Sequence, residues 1–136
     1  MIGARVVDWE TRFVEFLNKN KSREFKWGEF DCSQFCILAE KAICEESRWE
    51  DFIGGYKTQK GAEKRILKGK ANSLWELIDQ RMERKPVLMA QRGDWIGHLT
   101  PQGEALGIMD ANGFWATAEN GLEFINIDQA KVAWTL

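Results

Sequence analysis

The stretch Lys26-Trp27-Gly28-Glu29-Phe30-Asp31-Cys32-Ser33-Gln34-Phe35-Cys36 holds the residue types best placed to do chemistry. A polar Asp31-Cys32-Ser33 step follows an aromatic, glycine-containing loop and opens an apolar helical run. Free amide N–H groups and the helix dipole at such a start favour a thiolate and can lower a thiol's pKa. Cys32 is therefore the candidate nucleophile. It needs a general base, and the chain has a single histidine, His98. Asp31 and Glu104 are carboxylates near the expected site, but a carboxylate is a poor base toward a thiol.

The elements that must position Cys32 can be read from hydrophobic spacing. Val7 to Asn18 is an amphipathic helix with Trp9, Phe13, Phe16 and Leu17 on one face. After a polar break, Phe25 to Gly28 delivers the chain to a second helix. Asp31 can cap it, and Phe35, Cys36, Leu38, Ala39, Ala42 and Ile43 continue a buried stripe to about Cys44. Gly54-Gly55 punctuates the chain before Tyr56. Thr58 to Leu67 reads as a short basic helix ending near Gly69, and Ser73 with Glu76 has capping-box spacing for another, to about Arg81.

After Pro86 the pattern changes to short apolar runs: Val87 to Ala90, Asp94 to Leu99, Ala105 to Met109, Gly113 to Thr117 and Leu122 to Ile125. Asp110-Ala111-Asn112-Gly113 between two of them is a hairpin signal. Helices first and an antiparallel sheet afterwards give an α+β domain, N-terminal helices packed on a C-terminal β-meander.

Bulk composition narrows the function classes. At 136 residues the chain suits one domain with one core, spanning 1–136. A net charge of −2 gives no global pull toward nucleic acid. The basic stretch Lys57 to Lys70 reads as a solvated helix face, since no aromatic interleaves it to stack bases. No apolar run is long enough for membrane insertion, and the N-terminus lacks signal-peptide architecture, so synthesis and folding in a cytoplasm are expected. Cys32, Cys36 and Cys44 lie too close on one helix for disulfides and, with His98, fall short of a zinc site. No metal or cofactor is implied. Seven tryptophans and eight phenylalanines are many for this length, and most fill the core, with some left for contacts.

The order of parts resembles the NlpC-type, papain-like cell-wall peptidases. In that family an Asp-Cys-Ser motif supplies the nucleophile, matched by Asp31-Cys32-Ser33, and a Gly-Asp pair opens a strand, matched by Gly93-Asp94. A His-Val-Gly-Ile strand then carries the base, and a hairpin brings a third polar residue. Here the base strand is Ala105-Leu106-Gly107-Ile108, and the third position falls at about Ala116. The scaffold is kept and two of three catalytic positions are apolar.

The pattern looks closest to a phage-associated offshoot of that fold. Its marks here are Trp9, Phe25 to Cys32, Gly54-Gly55-Tyr56, Ala105 to Ile108, Gly121-Leu122 and Ala133-Trp134. The resemblance implies a structural or assembly component of a phage tail, at the tip or hub. It would be made in the host cytoplasm, carried in the virion, and partnered with other tail proteins. Trp27, Trp49, Trp95, Trp115 and Trp134 would partly serve those contacts. One alternative is an active cysteine peptidase or amidase acting on peptidoglycan, with Cys32 as nucleophile and His98 as base. Another is a peptidoglycan-binding module that keeps the old cleft, with Asp31 and the stacking platforms Trp27 and Trp115.

Overall fold

The computed structural model describes residues 3–136. Four helices precede a six-stranded, wholly antiparallel sheet, giving an α+β fold. The helices are α1 (Trp9–Asn20), α2 (Cys32–Ile43), α3 (Gln59–Lys68) and α4 (Leu74–Asp79). The strands are β1 (Arg84–Lys85), β2 (Trp95–Thr100), β3 (Gly103–Asp110), β4 (Gly113–Ala118), β5 (Gly121–Asn126) and β6 (Ala130–Trp134). Their spatial order is β1-β6-β2-β3-β4-β5: a meander from β2 to β5, with β6 crossing back onto the free edge of β2.

Helix α2 is central because its stripe is buried: Phe35, Cys36, Ile37, Ala39 and Ile43 are all within the core. It packs on α1, where Phe16 stacks on Phe35 at 5.9 Å between ring centres. The helix stops at Ile43, as expected to within a residue, and Cys44 adopts extended backbone and bridges to Arg5. Helix α3 buries no residue, as the reading of a solvated basic face requires, and α4 is capped by Ser73 accepting from the Glu76 amide.

The pleat sends alternate strand residues to opposite faces of the sheet. Trp95, Leu106, Ile108 and Trp134 join the helices in the main core. Ile96, Met109, Phe114, Ala116 and Ala133 form a smaller cluster on the other face. Val87 and Ala90 pack against that second cluster, and Val87–Met89 forms a 3-10 turn instead of the strand its apolar run suggests. Pro86 before it supplies no amide hydrogen for a sheet ladder.

Three tryptophans expected to share in surface contacts are core residues. Trp49, Trp95 and Trp134 are each at most 1% exposed. Trp49 stacks on Trp95 at 5.9 Å, and its indole donates to the Met82 sulfur. The Trp134 indole donates to Asp79 at 2.9 Å. A small α+β domain uses these large side chains to fill the space between short helices and the sheet.

One buried carboxylate gathers both ends of the described chain. Asp94 Oδ1 accepts from Arg5 at 3.1 Å and from the Leu136 amide at 3.0 Å. Its Oδ2 accepts from Lys85 at 2.7 Å and the Gln91 amide at 2.8 Å. Two cations and two amides compensate a charge that burial alone would make very costly. Asp94→Ala strands Arg5 and Lys85 and should cost about 3–5 kcal/mol of stability, the range for breaking a buried ion pair. A urea-unfolding midpoint measures it, and a loss below about 1 kcal/mol, typical of exposed pairs, would contradict the clamp.

Candidate functional site

Asp31 sits before α2 in extended backbone and buries its carboxylate, which accepts from three donors. Oδ1 takes the Gln34 amide at 2.8 Å, and Oδ2 takes the Gly28 amide at 2.9 Å and the Tyr56 hydroxyl at 2.5 Å. The Gln34 side chain donates to the Phe52 carbonyl at 2.9 Å and accepts from the Gly54 amide at 3.0 Å. Segment 52–56 is thereby laced to the first turn of α2. Gly28 has φ +78, and a Cβ there would lie 1.8 Å from the Tyr56 carbonyl oxygen, so only glycine lets the two loops meet.

This lacing walls a cleft of about 880 Å³ between the start of α2, segment 49–56, the α3–α4 region and strands β2 to β4. Cys32, His98, Ala105 and Ala116 all line it. The nucleophile position and the two positions read as apolar replacements therefore border one cavity, with Ala116 packed beside Phe114 in the cluster on the other face of the sheet. Trp27, Asp31 and Glu104 line it too. Trp27 is half-buried and packs edge-on against Phe25, with ring centres 4.9 Å apart.

Trp115 is not among the lining residues. It projects elsewhere from β4, donates its indole N–H to Asp110 at 2.9 Å, and packs on Phe124 with Lys21 above it. Strand alternation separates it from its neighbour Ala116: Trp115 packs against the main core and Ala116 within the cluster on the other face. The structure thus brings Cys32, His98, Trp27 and Asp31 to one cleft and leaves Trp115 outside.

The electrostatics of Cys32 run against the helix-start expectation. Burial pushes its thiol up to about 11, and the adjacent Asp31 carboxylate adds to the rise. The Leu106 backbone and Ser33 oppose this without overcoming it. Amide donors and the helix dipole favour the thiolate, but here the cap itself is an anion next to the sulfur. Of the carboxylates lining the cleft, Asp31 is committed to its three donors, and Glu104 accepts from the Trp75 amide at 3.0 Å, at the start of α4.

His98 is the remaining basic group. It lies opposite Ala105 in the β2–β3 register, so both project from the same face of the sheet. Its ring packs 4.9 Å from Phe114, is 6% exposed, and leaves Nε2 without a hydrogen-bond partner. Burial lowers its pKa below the ordinary 6.5, so the ring is neutral at pH 7. Among the described residues no group of three metal-ligating side chains converges.

Two residues that organise the site were not singled out as site residues in the sequence. Tyr56 was visible only as part of a Gly-Gly-Tyr segment, and Gln34 only as the third residue of α2. Their partners lie 25 and 18–22 positions away, out of reach of local pattern.

The thiol shift gives a direct test. A pKa raised from 9.0 to about 11 leaves less thiolate at every pH below it, so alkylation should climb with pH well past 9. At pH 7 Cys32 should react with iodoacetamide about 100-fold more slowly than a free thiol, one factor of ten per unit. Asp31→Asn keeps a capping side chain but removes the charge, and should speed labelling several-fold. Labelling of the wild type as fast as free cysteine would overturn the assignment.

His98 carries its own pH dependence. A histidine whose folded pKa lies below its unfolded value binds fewer protons when folded, so its contribution to stability is lost as pH falls below about 6.5. The unfolding midpoint of the wild type should drop more steeply over that acid range than that of His98→Gln. Parallel curves would sink the assignment.

No curated protein is recognisably similar to this chain. A family profile described as a domain of unknown function, DUF6950, matches residues 4–136. That match covers nearly the whole chain, including the Asp31 cap, Cys32 and every element lining the cleft, and the chain belongs to the DUF6950 family.

Proposed function

We propose that this chain is a structural or assembly component of a phage tail, in the tip or hub region, built on a degenerate NlpC-like, papain-like peptidase domain without hydrolytic activity. The observation that carries the loss of hydrolysis is the content of the cleft. Ala105 and Ala116 stand where the resemblance requires a base and its polar partner, and Cys32, which borders the same cleft, is held as a protonated thiol. A thiol attacks as its anion, and acyl transfer needs the proton moved in step. The tail assignment rests on the order of motifs along the chain, from Trp9 through the Phe25–Cys32 loop to Ala133-Trp134. It would be synthesised in the host cytoplasm, carried in the virion, and partnered with other tail proteins.

A second reading keeps Cys32 as nucleophile and takes His98 as base, making the chain a peptidase or amidase of peptidoglycan. It is favoured by one observation: His98 lines the same cleft directly across the register from Ala105, with Nε2 unpartnered. A third, peptidoglycan binding without cleavage, keeps Trp27 in the cleft but loses Trp115 as a second stacking platform.

Purified protein added to peptidoglycan should leave its turbidity unchanged, and the protein should co-sediment with intact tails. Clearing that disappears in both Cys32→Ser and His98→Ala would establish the peptidase instead. Failure to co-sediment with tails would remove the structural assignment.

A further inference from the structure

Alone of the four helices, α3 buries no side chain among the described residues. One side of it nevertheless lines the Cys32 cleft, through Gln59, Ala62, Glu63, Arg65 and Ile66. Ile66 reaches the main core but stays half-buried there. Lys60, Lys64 and Lys68, which do not line the cleft, stand one turn apart and exposed, and like charges at that spacing weaken a helix slightly. Buried apolar area therefore holds α2 far more firmly than α3, and weakly buried segments are the ones that open locally.

Both ends of the segment are built to pivot. Gly54 and Gly55 precede it with φ of +61° and +87°, and Gly69-Lys70 follows it, with Lys70 at φ +62°. A lysine rarely takes that left-handed backbone. Hinges are made of a few such element-terminal residues. The flanking chain is pinned to the body of the domain. Gln80, at the end of α4, donates to the carbonyls of Gly69 and Lys70 at 3.1 and 3.4 Å, and Arg81 holds Asp51 through two bonds at 2.7 and 2.8 Å. Between the pivots Tyr56 rides on α3: a Cβ on Gly61 would lie only 2.9 Å from the Tyr56 Cβ.

The bonds that close this segment onto the cleft are polar. The Tyr56 hydroxyl donates to Asp31 at 2.5 Å, next to Cys32, and accepts from the Gln34 side chain at 3.3 Å. Arg65 reaches back across the first pivot to the carbonyls of Gly54 and Asp51, both at 2.8 Å. Water can replace each of these partners. Asp31 keeps the Gln34 and Gly28 amides when Tyr56 leaves, so the cap of α2 survives.

We propose that residues 56–68 form a lid that swings on Gly54-Gly55 and Gly69-Lys70 and gates access to Cys32, latched by the Tyr56–Asp31 and Arg65 hydrogen bonds. The lid stands apart from the tail assignment: it follows from how α3 is held, whatever the chain assembles with. It moves as one body while α2 and the sheet stay folded.

Two alkylation rates at Cys32, measured on the full chain, provide the test. N-ethylmaleimide and a maleimide carrying a polyethylene glycol chain draw on the same thiolate, so their rate ratio cancels protonation and reports steric access. Peptide mass mapping separates Cys32 from Cys36 and Cys44. Tyr56→Phe removes one latch; Arg65→Gln removes the other and leaves the Asp31 network intact. Each should raise the ratio of bulky to small labelling about tenfold, because each deletes a hydrogen bond of a charged group from the closed state alone. In NMR relaxation dispersion Gly54, Gly55, Tyr56, Ile66 and Lys70 should share one rate in the microsecond-to-millisecond range, with the α3 amides still protected from hydrogen exchange.

A labelling ratio unchanged in both variants would overturn the lid, as would the absence of a shared rate at the two pivots. Rapid exchange of the α3 amides would overturn it too, since the helix would then be unravelling in place instead of swinging.

Discussion

The buried carboxylate of Asp31 must be satisfied wherever it goes, and the architecture of the cleft follows from how it is satisfied. An isolated buried anion is far too costly to keep, so it recruits donors. Here they come from three separate pieces of chain: the first turn of α2, the Gly28 loop and Tyr56. One charge therefore fixes where α2 begins, how the aromatic loop at Phe25 to Gly28 closes, and where segment 52–56 lies across it. The same charge sits beside Cys32 and raises its pKa. Cap, wall and thiol chemistry are three consequences of one interaction.

Asp94 plays the matching part just before β2. Its four partners belong to the N-terminal arm, β1, the loop before β2 and the last described residue. Holding Lys85 and Leu136 there keeps β1 and β6 in place on the β2 edge, and β2 carries His98. The strand register that sets His98 across from Ala105 is thereby anchored at both ends of the molecule. The neutral imidazole of His98 and the neutral thiol of Cys32 both border the cleft.

Much of the fold was legible in the sequence because it is written in local terms. The stripe from Phe35 to Ile43, the caps at Asp31 and Ser73, and the turn at Asp110 to Gly113 each depend on residues within a few positions of one another. The errors fell where local pattern and tertiary context part. Val87 to Ala90 has a strand's composition but follows Pro86 and is held as a 3-10 turn against the outer cluster. Trp49, Trp95 and Trp134 are as suited to a surface contact as to a core until their neighbours are known, and each is closed in by elements distant in sequence.

The sequence by itself determined that an Asp-Cys-Ser step opens a central helix, that the chain is α+β, and that alanines stand on the strand positions where chemistry was expected. Those facts are set by residue identity and short-range geometry. Only the tertiary structure decided that Cys32 and His98 border one cleft, that Trp115 is bound to Asp110 outside its lining, and that the thiol is held protonated. The physical reason is that desolvation and the field of a neighbouring carboxylate depend on what the fold stacks around a sulfur. A helix start promises a lowered pKa, and burial beside Asp31 reverses its sign.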